Sequence, residues 1–379
     1  MVERIRIGMV GGGQGAFIGA IHRFGLRLTG RYELVAGALS SNAQRAAASG
    51  AELGLDPARS YTSYEGMARA ERLRADGIEA VVIVTPNHLH YPVAKAFLEA
   101  GIHVICDKPL TLDLAEALDL EAVVARTGRQ LFVTYTYAAY AMVRQARAMV
   151  RQGAIGAVRV VQVQYAQGWL ALPVEQAGSK QAQWRTDPAL AGAGGALGDI
   201  GTHAFHLAGF VSGLAVQQVS AELSSFVAGR RLDDNAQVLL RFKGGARGML
   251  WASQVAVGED NALCLRVYGE RGSLSWEQEH PEELRYVSLG EAPRILRRAG
   301  PGVAVTGVSH LPAGHPEGCL EGFGQFYDEV ADALLALRRG GTAAGLAAGI
   351  AEGVEGMRFV AACVQSSAKD AAWVALQQP

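Results

Sequence analysis

Residues Ile5–Ala16 read IRIGMVGGGQGA, and this stretch decides the fold. Ile5–Val10 is a short, nearly continuous apolar run, the pattern of a strand buried on both faces of a parallel sheet. Gly11, Gly13 and Ala16 then fit a GxGxxA pattern, with Gln14 and Gly15 inside it, and helical spacing follows to about Leu28. Glycines let the backbone approach a pyrophosphate, and the helix N-terminus behind them offers unpaired N–H groups and the positive end of a dipole. An ordinary tight turn also uses glycine. The strand before and the helix after favour a dinucleotide site.

Outward from this motif, Tyr32–Leu39 reads as a second strand. Such a strand usually ends in an acidic residue that holds the ribose 2′-OH of NAD. Here it ends in Leu39-Ser40-Ser41-Asn42, with Arg45 close behind. Small hydroxyl side chains and an arginine suit a 2′-phosphate, which tilts the expectation from NAD towards NADP. Further buried strands are expected at Ala80–Thr85 (AVVIVT), His103–Cys106 (HVIC) and Leu131–Thr134. Helical spacing fills Pro92–Ala100, and a helix capped by Thr111 is expected to run to Thr127 and stop at Gly128. Strand–helix alternation of this kind is the signature of an α/β domain with a parallel sheet. Two segments, Thr85-Pro86-Asn87-His88-Leu89-His90 and Cys106-Asp107-Lys108-Pro109, follow buried strands. They therefore belong at carboxyl strand ends, where open α/β sheets bind ligands. A lysine there is well placed to stabilise an alkoxide.

After about Tyr137 the texture changes, so domains are expected at 1–137 and 138–379. A helix (Ala141–Arg151) precedes Val158–Tyr165, which alternates as a strand. A helix is expected from near Asp199, and strands from Val216 to Trp276 separated by turns such as GERG predict a mostly antiparallel sheet. Ala299–Gly307 reads as a loop, and Gly322–Arg338 and Ala343–Gln365 as helices. Asp199 and His203 are spaced i, i+4 and would share a helix face. Histidine takes a proton near neutrality, and a carboxylate beside it steadies the ring or a substrate hydroxyl. Trp184-Arg185 are candidates to line a pocket, and His310 and His315-Pro316-Glu317 lie in a loop. In isolation, an N-capping aspartate, a core histidine and surface loop histidines are the better description of Asp199, His203, His310 and His315, and Trp184-Arg185 could equally pack and pair at the surface.

The 379 residues carry a net charge of -1, with 50% hydrophobic and 19% charged side chains. That balance gives no electrostatic case for nucleic acid. No apolar run spans a membrane, and the N-terminus lacks a signal peptide pattern. Cys106, Cys264, Cys319 and Cys363 form no CxxC pair, so neither a disulfide framework nor a thiolate metal site is expected, and the compartment reads as reducing and cytoplasmic.

Taken together, VGGGQGA, TPNHLHYPVAKAFLEAGIHVICDKPL and GGALGDIGTHAFH resemble the glucose–fructose oxidoreductase, inositol dehydrogenase and rhizopine-catabolism family, Gfo/Idh/MocA, over essentially the whole chain. The resemblance implies an N-terminal Rossmann domain and a C-terminal α/β domain whose large, mostly antiparallel open sheet often forms the interface of a homodimer or homotetramer. It implies an NAD- or NADP-dependent dehydrogenase acting on a sugar or inositol alcohol. The family's Glu-Lys-Pro motif falls on Asp107-Lys108-Pro109, with the lysine catalytic and its Lys-Pro bond often cis. Its aspartate and histidine fall on Asp199 and His203. In the implied mechanism His203 is the general base, Lys108 stabilises the alkoxide, and Asp199 orients the hydroxyl or the imidazole. Segments matching Thr85–His90 and Trp184-Arg185 contact the nicotinamide end in relatives. Tyr137 and His315 join Lys108, Asp199 and His203 on the substrate side. Departures are Asp107 for the commoner glutamate and the absence of an arginine in Val133–Tyr140. The alternatives are a non-catalytic dinucleotide-binding regulator and a metal-dependent hydrolase using His88, His90, Asp199 and His203.

Overall fold

A computed structural model describes residues 3–305 and 308–376. It divides into two units. One comprises Met1–Thr136 with Cys319–Val354, the other Tyr137–Gly318 with Glu355–Pro379. The first boundary lies beside the expected one, but the expected assignment of everything after it to a second domain does not hold. The chain returns to the first unit at Cys319.

The first unit is built on strands β1 (Ile5–Gly11), β2 (Tyr32–Ala38), β3 (Ala80–Val84), β4 (His103–Cys106) and β5 (Leu131–Val133). They form a parallel sheet in the order β2-β1-β3-β4-β5. All five residues of β3 are buried, as expected of a strand covered on both faces. Helices α1 (Phe17–Thr29), α2 (Ala43–Glu52), α3 (Tyr64–Arg72), α4 (His90–Glu99) and α5 (Leu114–Thr127) alternate with the strands. The order reverses at β1, between β2 and β3, and this switch point is where such sheets bind ligands. The α5 cap is Asp113, not Thr111: the Asp113 carboxylate accepts from Glu116 N at 2.9 Å, and Thr111 instead donates to Asp113 O at 2.7 Å. The Cys319–Arg338 helix packs along α1. Gly25 makes that crossing close, since a Cβ there would lie 3.0 Å from Phe323 Cβ and Tyr327 Cδ2.

The second unit begins with α6 (Ala141–Arg151) and β6 (Val158–Ala166). Short helices α7 (Lys180–Arg185) and α8 (Pro188–Ala191) lead to a π-helical turn, Leu197–Gly201, and α9 (Thr202–Ser212). Then come β7 (Val216–Ser224), β8 (Asn235–Phe242), β9 (Arg247–Ser253), β10 (Ala262–Gly269), β11 (Gly272–Glu277), β12 (Glu283–Ser288) and β13 (Arg294–Arg297). Beyond α10, the Cys319–Arg338 helix of the first unit, follow α11 (Ile350–Ser367) and β14 (Val374–Ala375). Among the described residues the sheet has nine strands in the order β13-β12-β11-β10-β6-β9-β8-β7-β14. Among these nine described strands only β6 and β9 pair in parallel. The unit's core includes Trp276, Phe242 and Phe359, each close to fully buried. Residues 306 and 307 of the expected Ala299–Gly307 loop lie outside the described residues. No helix among the described residues is long and apolar enough to cross a membrane.

Candidate active site

The glycine loop joins β1 to α1 with a conformation other residues resist. Gly11, Gly12 and Gly15 have φ of 81°, 71° and 79°, a region side chains strongly disfavour. A Cβ on Gly12 would lie 3.0 Å from Gly19 Cα, and one on Gly19 only 2.5 Å from Gly12 Cα. Gly19 therefore lets loop and helix cross in contact, a role the sequence motif did not assign. Ala16 N donates to Gly13 O at 3.0 Å, and Arg23 Nη1 holds Gly12 O at 2.7 Å. Gln14 N donates to Ser49 Oγ at 3.1 Å, while its side chain donates to Glu52. Helix α1 has no side-chain cap and no acidic residue in its first turn. Its leading N–H groups are left to solvent or a ligand, and an anion fits there.

The same loop touches the two strand ends beside it. A Cβ on Gly13 would lie 2.7 Å from Leu39 O, and one on Gly11 2.9 Å from Val84 O and 3.2 Å from Thr85 Cγ2. The turn after β2 holds Ser40, Ser41 and Asn42, and Arg45 follows in the first turn of α2. Asn42 caps α2 by accepting from Arg45 N at 2.9 Å, and Ser41, Asn42 and Arg45 are exposed. At the end of β3 the Thr85 hydroxyl is buried with no hydrogen-bond partner among the described residues. A buried orphan of that kind is costly. With the glycine cradle and the open helix end, it makes this end of the sheet fit a dinucleotide.

At the end of β4, Asp107 Oδ1 accepts from Thr134 Oγ1 at 2.6 Å and faces His22 Nε2 at 3.0 Å. Burial alone would raise this carboxyl. The imidazole and the hydroxyl outweigh it and hold the group down at about 2. Lys108 is half-buried, and the Lys108–Pro109 bond is cis. His90, expected to contact a cofactor, is instead 1% exposed. Its ring nitrogens face Pro109 O at 2.8 Å and Thr85 O at 2.9 Å. Buried between two backbone carbonyls, His90 is not placed as an open cofactor contact. Pro86 is half-buried and Asn87 buried in the turn between Thr85 and α4. Among the described residues no group of three His, Cys, Asp or Glu side chains is placed to hold a metal ion.

In the second unit, Asp199 and His203 do not share a regular α-helix. Asp199 lies in the π-helical turn and His203 in the first turn of α9. Such π turns frequently occur at functional sites. The Asp199 carboxylate accepts from Arg185 Nε at 3.1 Å and Gln254 Nε2 at 2.8 Å. The Arg185 guanidinium lies over the Trp184 ring, 4.1 Å from its centroid. Beside them the His203 and Tyr137 rings pack in a T-shape, their centroids 4.9 Å apart. The Tyr137 and Tyr165 hydroxyls are 2.5 Å apart, Tyr165 donates to Asn261 Oδ1 at 2.7 Å, and Gln167 donates to the same oxygen at 2.8 Å.

The π turn is itself anchored. Asp233 Oδ1 accepts from Gly195 N at 2.7 Å, Oδ2 from Leu197 N at 2.8 Å, and its carbonyl from Ala196 N at 2.9 Å. Burial pushes this carboxyl up to about 6, against the pull of its donors. The second unit thus unites Tyr137, Trp184, Arg185, Asp199 and His203, all named from sequence. Gln254, Asn261 and Asp233 carried no motif that marked them. His315 is exposed in a loop whose carbonyl at that residue accepts from Arg298 Nη2 at 2.5 Å.

Residues 5–135 match the profile of the oxidoreductase family with an NAD-binding Rossmann fold, and residues 143–275 that of the GFO/IDH/MocA C-terminal domain. The uncharacterized oxidoreductase YfiI of Bacillus subtilis is 36% identical over 378 residues, 98% of this chain and 96% of that one. An inositol dehydrogenase homolog from Azotobacter vinelandii, solved with NADH and myo-inositol, superposes with a TM-score of 0.91. It shares 36% identity over 99% of this chain and 98% of that one. Levoglucosan dehydrogenase of Pseudarthrobacter phenanthrenivorans is 28% identical over 100% of this chain and 99% of its own. A levoglucosan dehydrogenase solved with NADH and levoglucosan gives a TM-score of 0.85 at 27% identity, covering 99% of this chain and 100% of that one.

Proposed function

The chain belongs to the Gfo/Idh/MocA family of oxidoreductases, and from that premise we propose that it moves a hydride between NAD(H) and a secondary alcohol or ketone of a sugar, glycoside or inositol. The observation that carries the reading is Lys108 at the carboxyl end of β4, in the same sheet as a glycine cradle fitted to a pyrophosphate. Residues Gly11–Ala16 would hold the pyrophosphate, and the Thr85–Asn87 and Asp107–Lys108 turns would serve the nicotinamide end. When bound, the nicotinamide supplies or accepts the hydride. The protein's part is proton and charge. His203 takes the hydroxyl proton, the Lys108 ammonium stabilises the alkoxide, and Asp199, fixed by Arg185 and Gln254, orients the reacting group. Tyr137 and His315 are further candidates to hold sugar hydroxyls. A panel including myo-inositol and levoglucosan, followed by NADH absorbance, tests the reading. Tight NADH binding without turnover on any alcohol favours the regulator instead.

We propose NAD(H) as the working cofactor, against the NADP tilt of Ser40, Ser41 and Arg45. Support comes from the NADH held by the solved relatives. Because the turn lacks an acidic residue, NADP is expected to be used too. The kcat/KM for NAD is expected to exceed that for NADP by about tenfold, and Arg45→Ala to lower only the NADP value, since a guanidinium–phosphate contact is the one interaction the two cofactors do not share. A preference for NADP overturns the assignment.

We further propose that the open face of the nine-stranded sheet packs against a second copy. Leu239 and Met249 are 49% and 48% exposed there. They line a concavity of about 480 Å³ with Trp251 and Gln162, rimmed by Glu222 and Arg266. Exposed apolar surface of this kind marks interfaces. Light scattering is expected to give an even multiple of the chain mass, and Leu239→Glu with Met249→Glu to give the monomer. A monomeric wild type overturns the proposal. We place the protein in the cytoplasm, in keeping with its four free cysteines.

A further inference from the structure

Lys108 sits in a turn gripped on both sides by buried imidazoles. On its N-terminal side Asp107 Oδ1 faces His22 Nε2 at 3.0 Å. On its C-terminal side the Pro109 carbonyl faces His90 Nδ1 at 2.8 Å. His22 is 0% and His90 1% exposed, so neither reaches a substrate. His22 comes from α1 and His90 opens α4, while the lysine lies in the turn that follows β4.

The hydrogens on the first side can be assigned. His22 Nδ1 lies 2.6 Å from the Tyr327 hydroxyl. Burial holds that phenol well above its ordinary value, so it keeps its proton. The Asp107 carboxylate can only accept, so the hydrogen of a neutral His22 ring sits on Nε2, and the lone pair left on Nδ1 takes the Tyr327 hydroxyl hydrogen, which favours that tautomer. From Tyr327 through His22 to Asp107, each donor has an acceptor. Tyr327 is in turn fixed by its own carbonyl, which accepts from Tyr32 Oη at 2.7 Å. On the second side both ring nitrogens of His90 face carbonyl oxygens. A neutral imidazole carries one N–H, so it ties the Lys108 turn or the Thr85 turn by a direct hydrogen bond and packs against the other.

We propose that His22 and His90 are positioning residues for Lys108, with Tyr327 favouring the tautomer of His22. His22 fixes the residue before the lysine, and His90, with its hydrogen on Nδ1, fixes the residue after it, and so the place of its ammonium group. A displacement of about 1 Å at a catalytic group costs on the order of 100-fold in rate. The inference rests on the reading of Lys108 as the group that stabilises the alkoxide.

A double-mutant cycle tests it. His22→Leu, His90→Leu and Tyr327→Phe are each made alone and together with Lys108→Met, and assayed on the best alcohol of the panel. Fluorescence titration with NADH counts the folded sites, so kcat is expressed per site. Each leucine variant is expected to lose about 10- to 100-fold in kcat, with the NADH affinity changed less than about threefold. His22→Gln, whose amide also donates to Asp107, is expected to recover most of the loss. In the Lys108→Met background the same changes are expected to cost less than about twofold, because residues that act through one group are not additive. Losses that multiply with that of Lys108→Met overturn the inference, as does a glutamine variant no better than leucine. Should the leucine variants not fold, Tyr327→Phe removes a single hydroxyl, and a loss that persists in the Lys108→Met background overturns it equally. Lys108→Met within about tenfold of wild type is a different failure: it removes the role of Lys108 itself and the inference with it.

Discussion

Replacing Lys108 by methionine is expected to lower kcat by about two to four orders of magnitude, and His203→Asn to do the same. Methionine keeps the length and most of the volume of the lysine stem but none of its charge. The developing alkoxide would then lose its one proposed cationic partner. Asparagine at 203 keeps polarity beside Tyr137 but has no proton-accepting nitrogen near neutrality. Neither change touches the glycine loop, so the NADH Kd is expected to move by less than about threefold. The two residues belong to different structural units. If they serve one transition state, the double variant should be little worse than the poorer single one. Steady-state rates on the best alcohol, with NADH titration as the folding control, measure all three. Either single variant within about tenfold of wild type shows that the residue has no part in the chemistry.

Much of this architecture is legible in the sequence because the signal is local. The strand–glycine–helix order at Ile5–Thr29 and the unbroken apolar run of β3 identify a parallel sheet without any knowledge of its neighbours. The carboxyl-end rule then places Thr85 and Lys108 from strand limits alone. What could not be read is non-local. Helix α10 shows an apolar face, which says that it is buried but not against what, and so its place along α1 was missed. The short edge strand β13, RILR among other arginines, lacks the alternation that marks a half-buried strand. GDIGTHAFH carries ordinary helical spacing, and the π turn within it depends on Asp233, far along the chain, drawing in three consecutive N–H groups. His90 looked like a site residue because it follows a strand end. Its burial between two carbonyls is set by the Lys108 turn, which no local pattern foretells.

Gly13→Val is expected to raise the Kd for NADH at least about 100-fold, or about 2.7 kcal/mol. The reason is space rather than backbone strain, since Gly13, unlike Gly11, Gly12 and Gly15, does not adopt a positive φ. A single Cβ at Gly13 would already stand 2.7 Å from Leu39 O and 2.8 Å from Ser49 Oγ. The serine hydroxyl can rotate away, but the carbonyl belongs to the residue joining β2 to the Ser40-Ser41 turn and moves only with the backbone. Valine adds two methyl groups to that conflict and forces the glycine loop away from the turn. The pyrophosphate and ribose contacts proposed for those two segments can then no longer form together. Gly13→Ala, with one carbon, is expected to fall between wild type and valine. Gly15→Ala separates space from conformation: nothing lies within 4 Å of its Cβ position, but φ is 79°, so it should cost only the 1–2 kcal/mol or so of a left-handed alanine. Calorimetric titration with NADH gives the three affinities, and circular dichroism confirms that each variant is folded. A folded Gly13→Val protein that binds NADH within about threefold of wild type removes the glycine loop from the cofactor site.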